Sequence, residues 1–463
     1  MIRIFRVFVP VGTLALLVSE ILLVTGSFIL AAYYVMPVDP TGYLLDDGGD
    51  ISILLALLSI LIGLYLNDLY SEIYVKSRIV LLQQLCLVIG AAFLVQGLVS
   101  YVDRDLRMPI RVMVLGSALA MGSIFLWRIL FSAYVAEVVG RDRLLLVGGS
   151  SVLAEIAAYI AHHPEKGLTV AGYVTDSDQP AADLPGAKLL GPLASLREIV
   201  AATHPTRIVV GMFERRSRMP VSELLELRFA GHVIEEAASA YESVCGRVSI
   251  KDLRPSQLIY SGELGPRREA LLYQSIANLL VAGVSLIVAS PLMLLTALAV
   301  RLSSSGPVLY RQVRVGMDGR PFTLYKFRSM HADAETHTGA VWAARDDPRV
   351  TGVGRIIRQF RFDELPQFLN VLKGEMSIVG PRPERPEFVE ALSAHIPYYR
   401  QRHCVRPGIT GWAQINYKYG DTLEDTIAKL EYDLFYIKNM SFTLDSYIIF
   451  HTVKAMIVSQ GAQ

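Results

Sequence analysis

The chain has 463 residues, 52% of them hydrophobic and only 19% charged, with a mean hydropathy of +0.40. A soluble globular chain carries roughly 25% charge, so this composition excludes a disordered protein and argues against an all-soluble enzyme. Three cysteines exclude a disulfide scaffold, and 44 Lys plus Arg against 43 Asp plus Glu leave a net charge of +1, without the basic field of a nucleic-acid binder.

The apolar excess is concentrated. Four runs fill the first third: Val7 to Met36, interrupted only by Glu20; Ile51 to Leu66, extendable past Asp68 to Tyr70; Ile79 to Val102; and Val112 to Trp127, continuing past Arg128 to Val135. A spanning helix needs about 20 apolar residues. Arg3 and Arg6 precede the first run, Lys76 and Arg78 lie between the second and third, and Arg141 and Arg143 follow the fourth. The positive-inside rule then places the N-terminus in the cytoplasm, with four spans returning the chain there. A cleaved signal peptide competes for the first run, which is long for an h-region and lacks a clear small-x-small site. Glu20, Asp68 and Arg128 lie alone or near span ends, too few to line a transport path.

Residues 141–260 alternate strand and helix, as in a parallel sheet: strands at Arg143 to Gly149, Leu168 to Asp176 and Arg207 to Gly211, helices at Val152 to Ala161 and Val221 to Ala230. A dinucleotide fingerprint needs G-x-G-x-x-G. Here Gly148, Gly149, Ser150 and Ser151 match only the first position, and Asp176 or Asp178 fit a ribose acid loosely. The segment reads as a Rossmann-like domain without a bound cofactor, and a membrane-anchored NAD enzyme is the weaker reading.

The fifth run, Ala270 to Val300, carries no charge but is flanked on both sides by arginines: Arg267 and Arg268 before it, Arg301, Arg311 and Arg314 after. A full crossing would put one basic flank outside. Ser290-Pro291 sits near its middle, where proline removes a backbone donor and disfavours helix just before it. A helix broken there could turn back, with Ser290, Ser285 or Asn278 satisfying the freed carbonyls. The competing reading is an ordinary kinked span.

From Ser303 to about Tyr447 the chain becomes rich in Arg, Lys, Asp, Glu, Gly and Pro. Carboxylates hold Mg²⁺ or attack phosphorus, and Arg and Lys neutralise phosphate oxygens. The motifs are Gly306 to Val308, Gln312 to Gly316, Tyr325 to Met330, Asp363 to Gln367 (DELPQ), Gly380 to Pro383 (GPRP) and Arg406 to Gln414 (RPGITGWAQ). With the Ser290-Pro291 break, they make residues 270–463 resemble the bacterial sugar transferases, the monotopic phosphoglycosyl transferases that start exopolysaccharide and O-antigen units. The whole chain is similar to their long form. The expected fold is a membrane protein of three parts: four transmembrane helices in 1–140, a Rossmann-like α/β domain in 141–260, and an α-rich monotopic catalytic domain in 261–463 with a re-entrant helix at about 270–301.

The resemblance implies transfer of hexose 1-phosphate from a UDP-sugar to polyprenyl (undecaprenyl) phosphate, with release of UMP. Asp363 matches the nucleophile, forming a covalent sugar-phosphoryl intermediate, and Glu364 its partner acid, assigned to Mg²⁺. Lys326, Arg328, Arg358, Arg382 and Arg406 are the expected phosphate and substrate contacts. If the stretch around Phe327 is extended, Lys326 and Arg328 share a face. Asp433 matches a recurring acid of undefined role. The family usually has Ser-Leu before DELPQ; here Arg361-Phe362 stands there, a change expected to affect packing rather than chemistry. The resemblance also implies the bacterial inner membrane, a cytoplasm-facing catalytic domain and a homodimer, with no nucleic-acid partner. Histidines and cysteines show no metal-ligand spacing. The tail, Phe442 to Val458, is amphipathic and fits either the membrane surface or packing on the catalytic domain.

Overall fold

The computed structural model describes residues 2–4, 7–9, 11–36, 39–46, 48–70, 75, 77–102, 108–135, 142–175, 184–212, 219–250, 268–331, 334, 347–417 and 422–457. The chain divides into two compact units whose main segments are Phe8–Ala237 and Ala238–Gln463. The expected boundary near residue 260 lies outside the described residues, as do Asp176 and Asp178.

The first unit opens with four long apolar helices: α1 (Val11–Val35), α2 (Gly49–Leu66), α3 (Arg78–Val102) and α4 (Ile110–Leu130). Each is long and apolar enough to cross a membrane, which fits a membrane protein. They share a buried seam that includes Phe28, Ile60, Val88 and Ile124. Small residues let the backbones approach: a Cβ on Gly116 would come within 2.5 Å of the Phe28 ring, and one on Gly63 within 2.7 Å of Val88. Two of the charges that look isolated in the sequence are paired. Arg128 Nε lies 2.7 Å from Glu20 Oε1 and Nη2 donates to Oε2 at 3.2 Å, while Nη1 donates to the Leu69 carbonyl at 2.7 Å. Both residues are buried, so these charges cancel inside the bundle rather than lining a path.

A five-stranded, wholly parallel sheet follows in the same unit. Its strands are β1 (Asp142–Val147), β2 (Leu168–Val174), β3 (Leu189–Gly191), β4 (Arg207–Val210) and β5 (Val233–Glu236), in the order β3-β2-β1-β4-β5. Helices α5 (Ser151–His162), α6 (Leu196–Thr203) and α7 (Val221–Phe229) connect them. Strand packing accounts for the glycines after β1. Gly148 has φ +109, and a Cβ there would meet the Gly211 carbonyl at 2.2 Å; a Cβ on Gly211 would meet Ser150 Oγ at 2.5 Å. The Ser150 hydroxyl caps α5 by accepting from Leu153 N.

The second unit holds α8 (Ala237–Cys245, from its second residue) and the long helix α9 (Arg268–Ser303). An antiparallel hairpin pairs β6 (Leu309–Val315) with β7 (Pro321–Phe327), from Leu309 opposite Phe327 to Val315 opposite Pro321. Next come α10 (Gly352–Gln359), a short turn at Phe362–Glu364, α11 (Gln367–Leu372) and β8 (Ser377–Val379). The unit closes with α12 (Pro386–His395), β9 (Gly408–Thr410), α13 (Leu423–Asn439) and α14 (Phe442–Ile457). Strands β8 and β9 pair in parallel through Ser377–Gly408 and Val379–Thr410. They approach so closely that a Cβ on Gly408 would stand 2.1 Å from Gly380 N.

Helix α9 differs from its expected break: it continues through Pro291 to Ser303. Proline at 291 leaves the Ile287 carbonyl without its helical donor, and Ser290 Oγ donates to that carbonyl at 2.8 Å. Asn278 does something else. Its Nδ2 donates to Ser377 Oγ at 3.0 Å and its Oδ1 accepts from Ile378 N at 3.0 Å. One turn earlier, Gln274 Nε2 donates to the Val379 carbonyl, Tyr436 Oη and Asp445. At the other end, Met293, Ala297 and Val300 join Phe327 and Ile357 in one apolar cluster. Both ends of α9 are therefore seated on the same body, while Val284, Ile287 and Val288 between them are exposed. The amphipathic tail, α14, buries Leu444 and Ile448 in the core beside α9 and leaves Phe442, Phe450 and Val453 outside, so it packs on the unit and still shows an apolar face.

Candidate active site

The Asp363-Glu364 pair sits in a tight turn between α10 and α11. Arg361 enters it in the left-handed region, φ 56, and Pro366 caps α11. Asn370, fully buried on α11, fixes the turn to the hairpin. Its Oδ1 accepts from Tyr325 N at 3.1 Å, and its Nδ2 donates to the Thr323 carbonyl and to Glu375, both at 2.7 Å. The strand that carries Lys326 is thereby locked to the helix that follows the acid pair.

Both carboxylates are 8% exposed. Glu364 is the better compensated. Lys326 Nζ donates to its Oε1 at 2.9 Å, Arg382 Nη2 to the same oxygen at 3.3 Å, and Arg361 Nη1 lies 3.8 Å from Oε2. Burial opposes its charge, but Lys326, Arg382 and Arg361 hold it well below the ordinary carboxylate range. Asp363 goes the other way. Burial and the neighbouring Glu364 charge push it up to about 6, against the pull of Lys326, Arg358 and Arg382. At neutral pH it is mostly ionised, a desolvated carboxylate with a cation field around it. The Arg361 substitution is thus not confined to packing: Phe362 packs, but Arg361 adds a charge beside Glu364.

Arg382 is held from both sides. Arg402 Nη2 donates to the Arg382 carbonyl at 3.0 Å, and Arg314 Nη1 donates to the Pro383 carbonyl at 2.9 Å. Arg402 is buried and ion-paired with buried Asp433, at 2.7 Å, and donates to Tyr399 Oη at 2.8 Å. This gives Asp433 a place: it supports the arginine that supports the Pro-Arg-Pro loop. Spacing does not suggest this chain of contacts, because Arg314, Arg402 and Asp433 lie in separate segments; the only sequence signal is the two prolines flanking Arg382.

The structure does not bring all the expected basic residues to the acid pair. Lys326 and Arg382 contact Glu364, and Arg358 stands close enough to lower Asp363. Arg406 instead donates to Ser275 Oγ on α9 at 3.0 Å, bracing the helix. Arg328, just past β7, turns to Ser304 rather than to the acid pair, its Nη2 donating to the backbone O at 2.7 Å and to Oγ at 2.9 Å.

Two adjacent buried carboxylates offer hard oxygen donors of the kind Mg²⁺ takes. Mg²⁺ commonly uses one or two carboxylates and completes its shell with substrate phosphates and water. Among the described residues no cluster of three or more His, Cys, Asp or Glu could hold a metal alone, so an ion here would depend on substrate oxygens.

A buried carboxylate pair with Lys326, Arg361 and Arg382 against it can compensate the charge of phosphate esters. The family model for bacterial sugar transferases matches residues 269–459. A UDP-N-acetylgalactosamine-undecaprenyl-phosphate N-acetylgalactosaminephosphotransferase of Aeromonas hydrophila is 46% identical over 222 residues, covering 48% of this chain and 52% of the relative. A UDP-glucose:undecaprenyl-phosphate glucose-1-phosphate transferase of Escherichia coli (strain K12) is 48% identical over 187 residues, 40% of each chain. The match thus spans about half, or less, of these relatives. A longer one joins the chain to the glucose-1-phosphate transferase of Xanthomonas campestris pv. campestris, 32% identical over 337 residues, covering 69% of this chain and 68% of the relative. This chain belongs to the bacterial sugar transferase family.

Proposed function

We propose that the chain transfers a sugar 1-phosphate from a UDP-sugar to polyprenyl phosphate, releasing UMP, by way of an aspartyl intermediate. The observation that carries this is the unequal pair: three cations lie against Glu364, while among the described residues none is ion-paired to its buried neighbour Asp363. Nucleophilic catalysis needs a carboxylate that is ionised yet not tied up in ion pairs. An Asp363 oxygen attacks the sugar-proximal phosphorus. The bridging P–O bond breaks and UMP departs with the electron pair. An oxygen of the polyprenyl phosphate then attacks the same phosphorus, the bond to Asp363 breaks, and the carboxylate is restored. Lys326, Arg358 and Arg382 compensate the charge that builds up on phosphate oxygens. Mg²⁺, held by Glu364 together with substrate oxygens, would neutralise diphosphate charge.

The membrane arrangement proposed with it has four spans in 1–140 and α9 entering and leaving on one face. The basic residues on both sides of α9, and the seating of both its ends on one body, support re-entry. The site then faces the cytoplasm at the inner membrane, where it meets a nucleotide sugar and a lipid phosphate together. The same reading carries a homodimer and a role in starting exopolysaccharide or O-antigen units. UMP release measured across a panel of UDP-sugars, with and without undecaprenyl phosphate, tests it. No release from any donor overturns the reading.

A further inference from the structure

Arg328 is a buried cation left incompletely matched. It is 5% exposed. A guanidinium has five N–H donors; among the described residues Nη2 serves both Ser304 oxygens, while the buried Nε and Nη1 have no hydrogen-bond partner. Ser304 contributes dipoles, not charge. Burying a charge without a counter-charge is costly, and leaving its donors unpaired adds to the cost. Lys326, two residues earlier, already has its carboxylate in Glu364. Among the described residues no carboxylate pairs with Arg328, and the fork of a guanidinium fits a phosphoryl group.

The position of Arg328 selects which phosphoryl group. Ser304 directly follows α9. Over the last turns of α9, Met293, Ala297 and Val300 face the body, while Leu295, Leu298 and Leu302 are 64%, 55% and 77% exposed. An apolar chain lying along that outer stripe would end beside Ser304, the residue that follows α9. Around it Ser303, Ser305 and Pro307 are exposed. The cations around Glu364 belong to a different contact set: Lys326, Arg361 and Arg382 reach Glu364, whereas Arg328 reaches Ser304.

We propose that Arg328 and Ser304 seat the phosphate of the lipid acceptor, apart from the cations that serve the donor. This rests on the transfer reaction above and divides its two phosphates between two sets of residues. The test uses the full chain in lipid nanodiscs, with a UDP-sugar that the unmodified chain turns over and undecaprenyl phosphate as acceptor. Arg328→Gln and Ser304→Ala are expected to raise the acceptor concentration for half-maximal rate by about tenfold or more. The stoichiometric UMP burst formed without acceptor is expected to keep its amplitude. Arg328→Lys, which keeps the charge but not the fork, falls between. If Arg328→Gln fails to fold, Ser304→Ala, which removes a single hydroxyl, decides. Loss of the acceptor-free burst in Ser304→Ala assigns the seat to the donor diphosphate and overturns the proposal, as does an unchanged acceptor dependence. An unmodified chain that forms no UMP removes the transfer reaction itself, a failure seen before any variant is made.

Discussion

Arg402 and Asp433 form a buried ion pair at 2.7 Å, and the same guanidinium donates to the backbone carbonyl of Arg382 at 3.0 Å. Asp433 thereby acts on the acid pair through two intermediaries. Removing one member of a buried pair strands the other and costs about 3–5 kcal/mol. Arg402→Met should therefore lower the melting temperature and, where the protein still folds, weaken donor use through a displaced Arg382. Arg382→Gln should share the kinetic defect while keeping most of the stability. Melting curves beside UMP-release kinetics separate the two; equal stability losses would sink the positioning role.

Asp363→Asn is expected to abolish UMP release and yet to stabilise the fold. Burial and Glu364 raise Asp363 from 3.8 to about 6. A raised folded-state pKa means folding favours the neutral carboxyl. The group's contribution to stability is fully present below about pH 4 and is lost as pH rises through about 6. Asparagine does not titrate, so its advantage should be absent near pH 4 and reach about 1–3 kcal/mol by pH 7. Chemical denaturation of both proteins across that range measures it. Full turnover by the variant would remove Asp363 as the nucleophile.

The same pKa sets the direction of the pH–rate profile. The attacking form is the carboxylate, so the acceptor-free UMP burst should slow as pH falls through about 6, close to tenfold per unit below it. A rate flat from pH 7 to 5 would show that Asp363 does not titrate in that range.

Lys326→Met removes the shortest ion pair to Glu364, leaving Arg382 and Arg361. Glu364 should then titrate closer to its ordinary range, and UMP release should fall about 10- to 100-fold, as expected for losing a charge-assisted contact. Wild-type rates would show that Lys326 serves Glu364 only as a structural partner.

Cysteines introduced near residues 262 and 320 should both be labelled from the cytoplasmic face, because basic residues flank α9 on either side. Labelling from opposite faces would make α9 an ordinary span.

Much of this was legible in the chain. The four apolar runs mark α1 to α4, and alternating strand and helix patterns mark the parallel sheet, because both signals are local. The acid pair was legible through its motif, and Lys326 and Arg382 do reach it. The partner of Arg406 is not legible, because a Pro-Gly context sets backbone shape without saying which neighbour the side chain meets; it meets Ser275. The charge that Arg361 brings beside Glu364 is not legible, because only the left-handed turn carries it back there. Glu20 and Arg128 look solitary in a linear reading because pairing between helices depends on their rotation, which an all-apolar pattern does not encode.

The polar ties of Gln274 and Asn278 to Ser377, Ile378 and Val379 join the first turns of α9 to the strand that leads directly into the Arg382 loop. Helix and loop are therefore joined by hydrogen bonds, not by apolar contact alone. With α9 seated in the bilayer as proposed, a change in its depth would be passed to the Arg382 loop, and UMP release measured in bilayers of different thickness tests whether the rate follows.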